Sequence, residues 1–298
     1  MILKNSLSPL AERGKELAAL FELTKPRLTS LVIFTTWLGY GLGRRFMVYD
    51  ARFFHAVLGS WLVASGAAAL NQYIERDLDA LMRRTQRRPL PQKRLTPPTA
   101  LAFGLTISAI GALELGIFIN GLTSVLSLAS LGIYLLGYTP LKRRTSLCTL
   151  VGAFPGAIPP VMGWTAATGS LAPQAGILFL ILFLWQLPHF LAIAWMYRED
   201  YARAGFPMLS VIDPSGGTTA RMILLYTAVL IPVTLLPQRL GVAGVSYFCG
   251  ALVLGAGFFA CGALAALYRT ALHARRLLLA SVVYLPSLLT WMAWSKPA

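Results

Sequence analysis

Nine apolar stretches, each long enough or nearly so to cross a hydrocarbon core as a helix, divide the 298-residue chain. They run roughly over 28–47, 53–73, 99–119, 121–140, 147–166, 174–197, 219–237, 243–267 and 274–294. Runs such as Leu122 to Tyr138 lack the period-two alternation of a membrane barrel strand, so helices are the expected spans. Hydrophobic residues make up 56% of the chain and charged residues only 12%, a balance no water-exposed domain could cover. The expected architecture is an all-α, polytopic bundle of about nine transmembrane helices. It forms a single domain over 1–298, with 1–27 as a cytoplasmic N-terminal segment. Cys148, Cys249 and Cys261 lie in apolar surroundings without metal-ligand or C-x-x-C spacing, which excludes a disulfide-stapled secreted domain.

The 26 Lys and Arg against 11 Asp and Glu give a net charge of +15. That excess would suit nucleic acid, but no basic helix face or soluble domain exists to carry it, so no nucleic-acid partner is expected. The cations sit instead in short loops. With the N-terminus inside, 21 fall on the cytoplasmic side and 5 outside, which predicts an N-in, C-out topology. Glu12, Glu16 and Glu22 precede the first span and no cleavage pattern does, so neither a signal nor a transit peptide is expected. A bacterial cytoplasmic (inner) membrane is the expected location. Gly39, Gly41 and Gly43 have the wrong spacing for a dinucleotide fingerprint and predict close helix packing.

Acidic residues are few, so their positions inform. Glu75, Asp77 and Asp79 follow the second span, and Glu199, Asp200 and Asp213 follow the sixth. Balancing of nearby arginines is one explanation. Helix geometry supplies another. Asn71, Glu75 and Asp79 fall at 0°, about 40° and about 80°, one face over roughly 12 Å, while Asp77 falls at about 240°. Like charges at i,i+4 repel unless a cation lies between them, and Mg²⁺ commonly takes one or two carboxylates with phosphate oxygens. The following Arg-rich segment supplies forked donors suited to a diphosphate, with Arg83 and Arg87 expected to face anionic lipid headgroups, and Pro89 and Pro91 stop the helix. An anionic head and a greasy tail at a membrane surface describe an isoprenoid diphosphate.

The run Asn71-x-x-x-Glu75-x-x-x-Asp79 followed by Arg84-Thr-x-x-Arg88-Pro-Leu resembles the first signature of the UbiA-type intramembrane prenyltransferases. Tyr138-Thr-Pro-Leu-Lys142 resembles their Tyr-x-x-x-Lys element. Trp185-Gln-Leu-Pro188-His189-Phe190 and Asp200-Tyr201-x-x-Ala204-Gly205-x-Pro207-Met208-Leu209 resemble the haem-farnesylating branch of that superfamily. The likeness covers the chain from Thr24-Lys25-Pro26-Arg27 through the ninth stretch. Three positions depart from the commoner pattern: Gln72 stands for an Asp, Glu75 for an Asp, and Ala204 for a second Asp four after Asp200. The site therefore offers fewer carboxylates than many relatives, and the roles of Glu199 and Asp200 stay open.

The resemblance implies transfer of the farnesyl group of farnesyl diphosphate to a vinyl group of haem b, giving haem O and diphosphate. Asn71, Glu75, Asp79 and Asp200 would hold Mg²⁺, and Arg84, Arg88 and Lys142 would neutralise the diphosphate, with Tyr138 beside Lys142. These ligands, Lys142 and His189 form the expected catalytic set. His189 would serve the haem as an axial ligand or an acid–base group; a packed core histidine is the third option. If the sixth helix ran on to Asp200, the two residues would lie roughly 16 Å apart on nearly one face, with an opening at Pro188. Expected partners are the lipid bilayer and a haem-modifying or oxidase-assembly protein that takes the product. The alternatives are a prenyltransferase acting on an aromatic quinone precursor, and a haem or isoprenoid transporter without turnover. His55 and His273 near span ends match no motif. Glu114, inside the third stretch, is costly there and is flagged without a role.

Overall fold

The computed structural model describes residues 9–45 and 49–295. Lys4, Lys296 and the end of the first apolar stretch at 46–47 lie outside the described residues. Among those described there is no strand. A short amphipathic helix, α1 (Pro9–Leu23), leads into α2 (Pro26–Arg44), α3 (Ala51–Asp79) and α4 (Pro97–Phe118). The fourth span starts as α5 (Gly121–Gly132), loosens into a π-helical turn (Ile133–Tyr138) and ends as α6 (Thr139–Leu141). Then come α7 (Cys148–Thr168), α8 (Pro173–Met196), the short α9 (Arg198–Arg203) and α10 (Leu209–Ile212), α11 (Gly217–Arg239), α12 (Val245–Tyr268) and α13 (Ala271–Trp294). Among the described residues nine long helices thus coincide with the nine apolar stretches, in a multi-pass membrane fold.

Local chemistry sets the boundaries. Asp50, Thr96, Asn120 and Thr270 cap α3, α4, α5 and α13 by accepting hydrogen bonds from first-turn amides. Pro26, Pro97 and Pro173 open helices where no amide donor is needed.

Seven of the nine spans are apolar enough to cross a membrane on their own composition. The exceptions, α2 and α7, are long enough but rich in Thr, Gly, Pro and Trp. They pack on one another. A methyl group at Gly39 would overlap the Pro160 carbonyl, and one at Gly163 would overlap that of Thr36, so the two backbones touch. Three prolines sit inside α7. Pro159 cannot donate to the Pro155 carbonyl, and Ser130 Oγ donates to it instead at 3.2 Å.

Two expectations about α8 fail. The helix continues through Pro188 without opening. It ends at Met196, and α9 starts after the non-helical Tyr197, so His189 and Asp200 stand on separate elements.

Candidate active site

The last turns of α3 bury Asn71, Glu75 and Asp79 at 3%, 3% and 0% exposure, while Asp77 points outward and pairs with Arg76 at 3.8 Å. The single-face reading of this segment therefore holds. Gln72, also buried, donates to the Leu23 carbonyl at 2.9 Å and ties α1 to the same turn. Each acid of the face meets a cation from another part of the chain. Lys142 Nζ donates to both Glu75 oxygens at 3.1 Å. Arg88 donates to Asp79 Oδ2 at 2.6 Å. Asp79 Oδ1 is buried without any hydrogen-bond partner. Arg88 can reach back because the chain after α3 folds tightly, with Thr85 Oγ1 donating to the Asp79 carbonyl at 2.8 Å.

The π turn sets up the opposite wall. Its wider pitch ends at Tyr138, and Lys142 follows one turn later. Phe206, Tyr138 and Tyr201 surround the ammonium at 4.6, 5.9 and 6.0 Å from their ring centres, a cation–π cage that holds it without consuming all its donors. Thr139 Oγ1 accepts from Asn71 Nδ2 at 3.3 Å, joining that wall to α3.

Asp200 is buried and Glu199 exposed, so of the two only Asp200 faces inward. Its oxygens are taken by the Arg84 backbone amide at 3.1 Å and by the Arg203 guanidinium. The Arg84 guanidinium lies over Tyr197 and Tyr201 at 5.3 and 5.9 Å and makes no ion pair among the described residues. Beside it opens a cavity of about 630 Å³, lined by Arg83, Arg84, Arg198, Arg203 and Arg269 against Glu199 and Asp200. Five guanidinium groups and two carboxylates make its mouth attractive to anions.

Sequence reasoning overlooked Lys25. It occupies a left-handed backbone conformation, φ 49°, between Thr24 and Pro26, and its Nζ donates to Asn71 Oδ1 at 3.2 Å. Such a conformation costs a lysine on the order of 1–3 kcal/mol. Burial, then the Arg88 cation, push its ammonium down to about 7, against the opposing pull of Glu75 and Asp79. The available signal was the lysine directly before a helix-opening proline.

Divalent metal binding can be tested on these atoms. Among the described residues no three His, Cys, Asp or Glu side chains converge as a ready metal cluster. What exists is a carboxylate with one oxygen occupied and one orphaned, an adjacent carboxylate, and an amide. That set suits an ion which takes few protein ligands and completes its shell with substrate oxygens.

His189 lies apart from this cluster on α8. Its Nδ1 is 2.7 Å from Ser281 Oγ of α13, and its ring packs against Trp185 at 5.1 Å. His55 and Glu114, read separately from the sequence, form a 2.7 Å pair between α3 and α4, with the imidazole stacked on Phe118. His273 joins the Thr270 cap of α13 and stacks on Tyr268 at 4.5 Å.

A protoheme IX farnesyltransferase of Solibacter usitatus is 48% identical over 285 residues, spanning 93% of this chain and 98% of its own. Two solved structures share the fold. One, described as digeranylgeranylglyceryl phosphate synthase, matches with a TM-score of 0.77 at 15% identity, over 94% of this chain and 98% of its own. The other, a UbiA homologue of Archaeoglobus fulgidus bound to DMAPP and Mg²⁺, matches with a TM-score of 0.58 at 14% identity, over 90% and 98%. The model of the UbiA prenyltransferase family matches residues 32–294. With buried acids, facing cations and an all-helical membrane fold already in place, the chain belongs to the UbiA prenyltransferase family, and it is a prenyltransferase enzyme.

Proposed function

We propose that this enzyme transfers the farnesyl group of farnesyl diphosphate to a vinyl group of haem b, releasing diphosphate and giving haem O. The observation that carries the reading is the meeting of the Asn71, Glu75 and Asp79 face with Lys142 and Arg88 at one end of an apolar bundle whose α8 bears a half-buried imidazole. The Solibacter usitatus relative, protoheme IX farnesyltransferase by name, supports the acceptor.

Arg84, whose guanidinium has no carboxylate partner among the described residues, is the first cation open to an incoming diphosphate. Arg88 and Lys142 each hold a carboxylate, and both can turn to phosphate oxygens once those carboxylates are otherwise neutralised. Mg²⁺ held through Asn71, Glu75 and Asp79, with Asp200 from α9, would supply that neutralisation and stabilise charge on the leaving group. The cations do the same work from the protein side as the allylic C–O bond breaks. The vinyl group then captures the farnesyl cation, water adds its hydroxyl to the neighbouring carbon, and one proton is released. The apolar bundle keeps water from the cation until the C–C bond has formed. His189 binds the haem through its iron, and Tyr138 fixes the position of Lys142 through its ring.

Diphosphate release from farnesyl diphosphate tests the whole reading. Release that requires both haem b and Mg²⁺ supports it. Release with a phenolic acid in place of haem would replace the acceptor, and no release with either would point to a carrier. The chain is read as one domain over 1–298 in a bacterial inner membrane, N-terminus inside with 1–27 cytoplasmic, passing its product to a haem-modifying or oxidase-assembly protein. In a cysteine-free background, an impermeant thiol reagent applied from outside should label Ser170→Cys and miss Gln86→Cys; the reverse pattern overturns the orientation.

A further inference from the structure

The contacts of Ser281 determine where the proton of His189 sits. Ser281 Oγ lies 2.6 Å from the Leu278 carbonyl oxygen and 2.7 Å from His189 Nδ1. Two oxygens come that close only with a hydrogen between them, and the carbonyl carries none. The single hydroxyl proton of Ser281 is therefore spent on Leu278. The second short contact also needs a proton, and only the imidazole can supply it. His189 must donate from Nδ1, which leaves Nε2 of the neutral ring with its lone pair. Among the described residues no group hydrogen-bonds Nε2, and the residue is not fully buried, so that lone pair has no protein partner.

The ring is also fixed in direction. Trp185, one turn before His189, donates its indole N–H to the Ser281 carbonyl at 2.9 Å. One residue of α13 thus receives two donors from α8, through its backbone and its side chain. Ser281 itself is fully buried.

We infer that Ser281 is a positioning residue that locks His189 as the Nδ1–H tautomer and presents Nε2 as the axial ligand to the iron of the haem acceptor. The iron-ligation half rests on the haem reading above; the proton placement does not.

The two halves separate experimentally. The chain has three histidines, so ¹⁵N-histidine spectra of the ligand-free protein, with His189→Gln as the subtraction control, report which nitrogen of His189 is protonated. Protonated Nδ1 with bare Nε2 is expected; protonated Nε2 overturns the inference whatever the substrate. Haem b titrations of purified protein then follow the Soret band. Ser281→Ala should weaken haem binding about tenfold, as loss of a ligand's hydrogen-bond partner does, and shift the band. Farnesyl diphosphate affinity should be unchanged. Ser281→Thr, which keeps the hydroxyl, should restore band and affinity, and it carries the test should Ser281→Ala not fold. Ser281→Ala with wild-type band and affinity, while His189→Ala loses both, overturns the role of Ser281 and leaves the haem reading standing. A wild-type band in His189→Ala overturns haem ligation itself.

Discussion

The two ends of α3 each carry acid–base side chains in a membrane bundle, and they do so differently. Near its start His55 meets Glu114 as a closed pair, one acid and one base at 2.7 Å beneath Phe118. About 30 Å further along the axis, Glu75 and Asp79 meet Lys142 and Arg88, with Asn71, Thr139 and Lys25 tied to the same face. Here one carboxylate oxygen is left over, and three cations, Lys142, Arg88 and Lys25, attend two acids. Intramembrane charge therefore does not by itself mark chemistry. The first end satisfies itself; the second leaves an acid oxygen unpartnered and more cations than acids on one face.

The contrast predicts unequal damage. Asp79→Asn removes charge at the orphaned oxygen and should lower turnover by about a hundredfold or more with the protein still folded, read as diphosphate release beside a thermal melt. Turnover within tenfold of wild type would remove Asp79 from the metal assignment. Next is Lys142→Met, which strands the buried Glu75 charge and should cost about 3–5 kcal/mol of stability. Adding Glu75→Gln should restore the melting temperature while turnover stays lost. If it does not, the pair has no mutual dependence.

Lys25→Met gives a smaller effect with a definite sign. The folded-state lysine releases its proton near 7 and the unfolded one near 10.5. Between those values the unfolded chain binds more protons, so this residue makes stability rise with pH across that window. The variant should lose that rise, seen as a melting temperature that climbs less than wild type from pH 7 to 9. Smallest is Glu114→Gln, which keeps a hydrogen bond and should cost roughly 1 kcal/mol with turnover unchanged. A turnover loss there as large as that of Asp79→Asn would erase the distinction between the two ends.

The sequence made the nine helices legible because run length decides whether a segment can span. It also made the Asn71, Glu75 and Asp79 face legible, because helical period alone puts Asp77 elsewhere. Partner choice was not legible. Lys25 reaches across 46 residues to Asn71 and His189 across 92 to Ser281, and nothing local distinguishes those residues from loop charge or an ordinary helix serine. The break after Met196 was hidden too, since Tyr197 is neither Gly nor Pro and the apolar pattern ends there in any case. The π turn before Lys142 had no sequence signal beyond Gly137 and Pro140.

The mutual dependence of α2 and α7 bears on how the protein is made. During synthesis α2 leaves the ribosome first, and roughly ten seconds pass before α7 follows at ordinary elongation rates. Through that interval α2 exposes threonines and a glycine groove with no partner to cover them. Its early companion is α3, whose composition suffices for membrane entry and which packs beside it. The first hairpin is thus a provisional assembly, and arrival of the proline-bearing α7 completes it. A lesion at Gly39 or Gly163 would strike at that step, leaving a chain inserted but unassembled and exposed to quality-control proteases before any substrate is met.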